Sequence, residues 1–550
     1  SNKAYYNLMF VEKDIEDLDT VAFAKLVGMT TDEVRNRFIE IREREGYFTR
    51  KDGKKIPNYQ PVRPYPFLKE LTADEIAMIA PHLDKYPGFY EQVTSMRDYP
   101  YAGGANILGY LAETNREEIE KDKFYRSGDN IGKAGIEKYY EKELRGQKGV
   151  HYIVTSALNN AIESYAGGKY DTMAIQAPSL KLGMDIELQV YGELLMKNKM
   201  GCIVAIEPSS GEILSMVSAP SYDPNLFVGK SNIAKNYPIL VSDPKKPLFP
   251  RPLQAEYPPG SIFKIVQSLI GLQEGILTPS STFACNRSLV ACHNHPSPVD
   301  LFGAIRNSCN PYYHQAFRQI INREVSTNTF KDTEIGLNAW REKVLKFGLG
   351  SPLGMDISGE KGGDIPSSKL YDRVYGSGRW KYSTIYSLSI GQGEMQVTPL
   401  QMANLAAIFA NKGYYYTPHL VKAIDGDPSQ IPGKFQIKHE VGIDAHHFNL
   451  IQDAMAEALY GTANRAVIKD LVIAGKTGTA QNPHGEDHSV FIAFAPKDDP
   501  KIAIAVYVEN AGWGGRAAAS TASLMIEKYI KGEITRPELQ EYVLAGSFIY

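Results

Sequence analysis

Two compact apolar runs, Cys202-Ile-Val-Ala-Ile206 and Glu212-Ile-Leu-Ser-Met-Val217, flank the turn sequence Pro208-Ser-Ser-Gly211. This pattern predicts a β-hairpin. Three further runs, at 471–474, 490–495 and 502–508, are joined by short loops near the C-terminus. Short connections favour antiparallel pairing. Between the two groups lie about 250 residues with helical periodicity, as at 400–409 and 448–459. Strands from both ends of a region that encloses a helical middle predict one antiparallel sheet covered by helices, over residues 181–550. Residues 1–180 read differently. They are charged, rich in tyrosine and irregular, with short helical stretches such as 72–82. The expected class is α+β.

At 550 residues the chain exceeds what one hydrophobic core usually serves, so at least two domains are expected. Its 43% apolar and 22% charged residues are those of an ordinary globular protein. A net charge of −3 gives no electrostatic case for nucleic acid. The 34 tyrosines are assigned to packing. No apolar run reaches 18 residues and no signal peptide opens the chain. The abrupt start at Ser1-Asn2-Lys3 is what either a cloning scar or removal of a membrane anchor would leave.

The sharpest local signal is Tyr257-Pro-Pro-Gly-Ser261-Ile-Phe-Lys264-Ile-Val. Two prolines and a glycine break the chain, and an apolar helix is expected from Ser261 to about residue 275. Alone, Ser261 would be ordinary capping chemistry. Lys264, three residues on, shares its helical face. Apolar neighbours surround that lysine, so burial should lower its pKa toward that of a useful base for a serine nucleophile. The alternative is a lysine that snorkels to the surface. Ser308-Cys-Asn310 follows 47 residues after Ser261 and offers a hydroxyl and an amide for proton relay and substrate holding. Lys476-Thr477-Gly478-Thr479 directly follows the run at 471–474. A cation and two hydroxyls on a strand edge suit a carboxylate, and Gly478 allows close backbone approach. Each motif alone is weak. Ser-x-x-Lys, Ser-x-Asn and Lys-Thr-Gly in this order form the signature of penicillin-binding proteins and serine β-lactamases.

With these residues in place, the chain resembles the class B penicillin-binding proteins of the elongation type over nearly its whole length. Asp185-Ile-Glu-Leu-Gln189, Ser221-Tyr-Asp-Pro-Asn225 and Gly391-Gln-Gly-Glu-Met-Gln-Val-Thr-Pro-Leu-Gln-Met402 also look like that group. Arg97-x-Tyr-Pro100 and Gly135-Ile-Glu137 resemble its N-terminal pedestal. The resemblance implies an α+β pedestal at 1–180 and a penicillin-binding transpeptidase domain at 181–550. It implies a serine D,D-transpeptidase that cross-links peptidoglycan stem peptides in lateral wall elongation and is acylated by β-lactams. Ser261 would be the nucleophile and Lys264 its base. Ser308 and Asn310 would relay protons and position peptide. Lys476, Thr477 and Thr479 would hold the carboxylate beside Gly478, and the N–H groups of Ser261 and Thr479 would form the oxyanion hole. No cofactor for catalysis is implied. The implied partners are a membrane glycosyltransferase of the shape, elongation, division and sporulation family and elongation-complex scaffold proteins. The implied location is the periplasmic face of an inner membrane. A β-lactam-hydrolysing or sensing enzyme, or a scaffold regulating a glycosyltransferase, remains open. Two departures stand out: Asn106 where the family often has histidine, and Val490 where it often has an aromatic beside the third motif.

Three of four cysteines, Cys285, Cys292 and Cys309, fall within 25 residues, with His293 and His295 among them. Three thiolates and an imidazole form a plausible tetrahedral structural zinc set, with His295 preferred over His293 as the fourth ligand and both kept open. A Cys285–Cys292 disulfide is the competing expectation in an oxidising compartment. The resemblance to relatives with a metal-binding loop in this region favours zinc, which would organise Ser308 and Asn310 on either side of Cys309.

Overall fold

The computed structural model describes residues 2–49, 54–126, 128–155 and 161–549. Two compact units are present: Ser1–Pro100, Arg145–Ala177 and Phe227–Ala234 form one, and Tyr101–Leu144, Pro178–Leu226 and Lys235–Tyr550 form the other.

In the first unit, β1 (Asn2–Val11) lies between β2 (Pro64–Leu71) and β3 (Phe89–Arg97) in an antiparallel sheet. The helices α1 (Thr20–Leu26), α2 (Thr31–Glu45) and α3 (Ala73–Ile79) accompany it. Thr30 with Glu33 and Thr72 with Glu75 form capping boxes that fix where α2 and α3 begin. The predicted helix at 72–82 divides, because Pro81 cannot donate an α-helical hydrogen bond and the chain continues as a 3-10 turn over Ala80–Lys85. Phe10, Phe23, Phe67 and Phe89 form the core, with Phe23 and Phe89 ring centroids 4.4 Å apart. The sheet was hidden from periodicity because β1 slips register between Tyr6 and Leu8 and again before Met9. Leu8, Met9 and Phe10 are then buried consecutively instead of alternately.

The second unit contains the expected antiparallel sheet. Its strands are β4 (Gly201–Ile206), β5 (Ile213–Ala219), β6 (Ala474–Ala480), β7 (His488–Ala495) and β8 (Ile502–Val508), in the order β5-β4-β8-β7-β6. The hairpin β4–β5 closes through Glu207 and Gly211, whose φ of 84° suits glycine. Both faces are buried. Cys202, Val204 and Ile206 of β4 join one core, while Ile203 and Ala205 join the other. This explains why the strands read as continuous apolar runs. On the first face lie α5 (Lys264–Gln273) and α8 (Pro399–Ala410), and on the second α4 (Ile186–Leu195) and α10 (Ala518–Lys531). Between α5 and α8 come α6 (Leu301–Arg306) and α7 (Asn310–Ile321), and α9 (Ala445–Ala458) follows α8. Ile265, Val266, Leu269 and Ile270 of α5 are fully buried, and each such side chain stabilises the fold by about 1.5–3 kcal/mol.

One strand is displaced from its expected place. The run at 471–474 precedes β6, with Val472 55% exposed, and the ladder begins at Ala474. The third motif therefore lies within the strand. A Cβ on Gly475, at its start, would meet the Phe491 ring at 2.5 Å. The strand requires small residues because large ones pack against it. Among the described residues, no helix is long and apolar enough to cross a membrane.

Candidate active site

Ser261 lies in a 3-10 turn, Gly260–Phe263, and Lys264 opens α5. The turn is clamped from both sides. Gly260 has φ 60°, its N–H donates to Gly391 O at 2.8 Å, and a Cβ on it would sit 2.8 Å from Thr479 O. Ser261 is half-buried, and its hydroxyl has no hydrogen-bond partner among the described residues. Lys264 is 0% exposed. Its Nζ donates to Ser308 O at 2.7 Å, Ser308 Oγ at 3.1 Å and Asn310 Oδ1 at 2.6 Å. Three acceptors match an ammonium. A neutral amine donates twice and leaves one lone pair free. Burial lowers the Lys264 pKa to about 7, opposed by the nearby thiols Cys292 and Cys309.

Ser308 occupies a turn that its sequence does not announce. Its N–H donates to Ile305 O at 3.2 Å and that of Cys309 to Ala304 O at 3.0 Å, a Schellman closure of α6. Glycine usually holds this left-handed position, yet Ser308 does so with φ 51°. Such backbone costs on the order of 1 kcal/mol for a residue bearing a Cβ. Asn310 then opens α7 and donates through Nδ2 to Ala291 O at 2.7 Å.

Lys476 reaches the same hydroxyl from β6. Its buried Nζ donates to Ser308 Oγ at 3.0 Å and to Thr477 O at 3.0 Å. Burial, then the charge of Lys264, hold its pKa well below the ordinary lysine value. Gly478 faces the Gly260–Phe263 turn, where a Cβ would meet Ile262 and Pro259 O at 3.1 Å. Thr479 Oγ1 accepts from Gly514 N at 3.4 Å. Val490, paired with Gly478, is fully buried. Asn106 donates to Pro247 O at 3.2 Å. Two neighbours support the third motif. Thr462, which carries no local signature, accepts from Thr477 Oγ1 at 3.1 Å, and Gln392, in the Gly391–Met402 segment, donates to Thr479 O at 3.2 Å.

The cysteine cluster assembles beside Asn310. The ligand atoms of Cys285, Cys292, His295 and Cys309 lie within 4.8 Å of one another. His295 Nε2 is 3.5 Å from Cys292 Sγ, and its Nδ1 is 2.7 Å from Pro296 O. Donation from Nδ1 leaves Nε2 with a lone pair directed at the thiols. His293 stands outside the set, its ring 5.2 Å from that of His295. All four cysteines are free, so the competing Cys285–Cys292 disulfide is not formed. The hydrogen bond between the two thiols lowers the pKa of Cys292 and raises that of Cys309. Three sulfurs and one imidazole nitrogen are the donor set of a closed tetrahedral zinc site.

The family model for the penicillin binding protein transpeptidase domain matches residues 201–527, and that for the penicillin-binding protein dimerisation domain matches residues 1–172. The chain is 32% identical to the peptidoglycan D,D-transpeptidase MrdA of Acinetobacter baumannii, over 82% of this chain and 68% of that protein. Against MrdA of Haemophilus influenzae it is 29% identical over 98% and 83%. The solved structure of Pseudomonas aeruginosa PBP2 in complex with WCK 5153 is similar with TM-score 0.64 and 31% identity, over 80% of this chain and 91% of that one. The complex between PBP2 and MreC from Helicobacter pylori shares the fold, with TM-score 0.77, 21% identity and coverage of 97% and 95%.

Proposed function

The chain belongs to the penicillin-binding protein transpeptidases, and from that membership we propose the roles of its residues and its place in wall synthesis. The enzyme is a serine-type peptidoglycan D,D-transpeptidase. Ser261 Oγ attacks the carbonyl between the two terminal D-alanines of a donor stem peptide, and Lys264 in its neutral form takes the hydroxyl proton. The N–H groups of Ser261 and Thr479 receive the oxyanion. Lys476, Thr477 and Thr479 hold the terminal carboxylate, with Gly478 admitting the peptide backbone. Ser308, hydrogen-bonded to both lysines, passes a proton to the departing D-alanine, and Asn310 aligns Lys264 and the peptide amide. An amine of a neighbouring stem then attacks the ester, and the same groups return the serine proton. β-Lactams enter by the first half of this sequence. The observation that carries the reading is the bridging of two buried lysines by one serine hydroxyl.

Cys285, Cys292, His295 and Cys309 would hold zinc, which supplies a fixed point beside the second motif and takes no part in bond making. Residues 181–550 form the transpeptidase domain in this reading, and residues 1–180 a non-catalytic, partner-binding pedestal. The relatives named MrdA and the PBP2–MreC complex support work in lateral elongation at the periplasmic face of the inner membrane. The expected partners are a membrane glycosyltransferase and scaffold proteins of the elongation complex.

Fluorescent penicillin tests the chemistry. Stable labelling should disappear in Ser261→Ala while cross-linking of a donor and an acceptor peptide stops. Labelling that persists in Ser261→Ala would remove the assignment, and an adduct lost within seconds would indicate a hydrolase.

A further inference from the structure

A second group of metal-ligating side chains lies outside the catalytic cleft and the cysteine cluster. Asp444 is the N-cap of α9, and His446 and His447 occupy its first turn. A carboxylate oxygen and one nitrogen from each imidazole lie within 4.8 Å of one another. The two rings are stacked at a tilt, with centroids 3.9 Å apart. We propose that Asp444, His446 and His447 form a surface binding site for one divalent transition-metal ion of the zinc, copper or nickel class.

Three features support it. An aspartate at this position ordinarily bonds the helix N–H groups, yet Asp444 makes no such side-chain bond. Its Oδ2 has only a long contact from Gln273 Nε2, at 3.4 Å, so the carboxylate remains available on the side of the imidazoles. The backbone beneath is fixed: Asp444 N donates to Gln273 Oε1 at 2.7 Å and His447 N to Asp444 O at 3.1 Å. A donor set framed on a fixed turn loses less freedom on binding than one on a loose loop. Finally, two imidazoles and one carboxylate suit borderline metals better than calcium or magnesium, with the remaining positions open to water. The helix dipole opposes a cation here, by about two- to fivefold in affinity, since its effect is confined to the first turn. Gln273 ends α5, so an occupied site would brace the first turn of α9 against the far end of the nucleophile helix.

The test is a zinc titration of the full chain against a chromogenic chelator, with zinc alone as probe. The parent should take up one equivalent more than the double variant His446→Ala/His447→Ala. Asp444→Asn, which preserves shape, should weaken that equivalent at least tenfold, and Cys285→Ser should leave it intact. Penicillin labelling, expected to be unchanged in the double variant and in Asp444→Asn, checks that each is folded. Equal stoichiometry and affinity in the parent and the double variant would overturn the proposal. Loss of the same equivalent in a control variant, His484→Ala, would do so as well.

Discussion

Strand β6 carries Lys476, Thr477 and Thr479 on a continuous ladder to β7, with glycines packed closely against Phe491 and Ile262. Ser308 and Asn310 instead occupy a turn between two short helical segments, one residue of it in left-handed backbone, beside a loop of three cysteines. Both regions place groups around the same hydroxyl, yet they are held by different physics. A ladder residue is fixed by backbone hydrogen bonds on a sheet with two buried faces. The Ser308 turn is fixed by its Schellman bonds and by whatever holds Cys309 in place. The second region should therefore be open to chemical perturbation without unfolding, and the first should not.

The largest effect expected is from Ser308→Gly. Glycine suits a φ of 51°, so melting temperature should hold or rise while acylation by penicillin falls about 10²–10³-fold through loss of the relay hydroxyl. A parallel fall in melting temperature would mean that the turn depends on the side chain, and the contrast with β6 would fail. Next, removal of metal by a chelator, or Cys285→Ser, should slow acylation about 10–100-fold with the β6 side intact. Residual affinity for a substrate carboxylate, read by competition, checks the latter.

The third test is pH. The base form of Lys264 is the unprotonated amine, and its pKa is depressed to about 7. Acylation should be level above that value and fall about tenfold per unit below it. The same depression means the unfolded chain binds more protons than the folded one between about pH 7 and the ordinary lysine value of 10.5. This group's share of stability therefore grows as pH rises through that window and is constant below it. A rate independent of pH from 5.5 to 8 would show that Lys264 is not the titrating base. The smallest effect belongs to the β6 side. Thr462→Val removes one partner of Thr477 and should weaken carboxylate binding about three- to tenfold, seen in KM and not in kcat, with Thr462→Ser restoring it.

Much of this arrangement was legible beforehand. The apolar runs of β4, β5, β7 and β8 and the buried helix behind Ser261 follow from local pattern, because continuous burial leaves its mark within a few residues. The three motifs and the cysteine spacing were visible for the same reason. The first-unit sheet was not, since bulged register and consecutive buried residues disguise its period. Nor was the true start of β6, where the demand for glycine comes from Phe491 and Ile262, neighbours distant in sequence.

Residue chemistry and order along the chain, then, determined the class of fold and singled out Ser261, Lys264 and the cysteine–histidine cluster as the groups to look for. Tertiary structure alone decided that Lys264 and Lys476 meet at Ser308 across 44 and 168 residues, that Thr462 backs Thr477, and that Asp444 turns from its helix toward two histidines. Short-range pattern encodes which face is buried. Which atoms come within 3 Å of one another depends on sheet register and helix packing, which are settled only when distant segments compete for the same space.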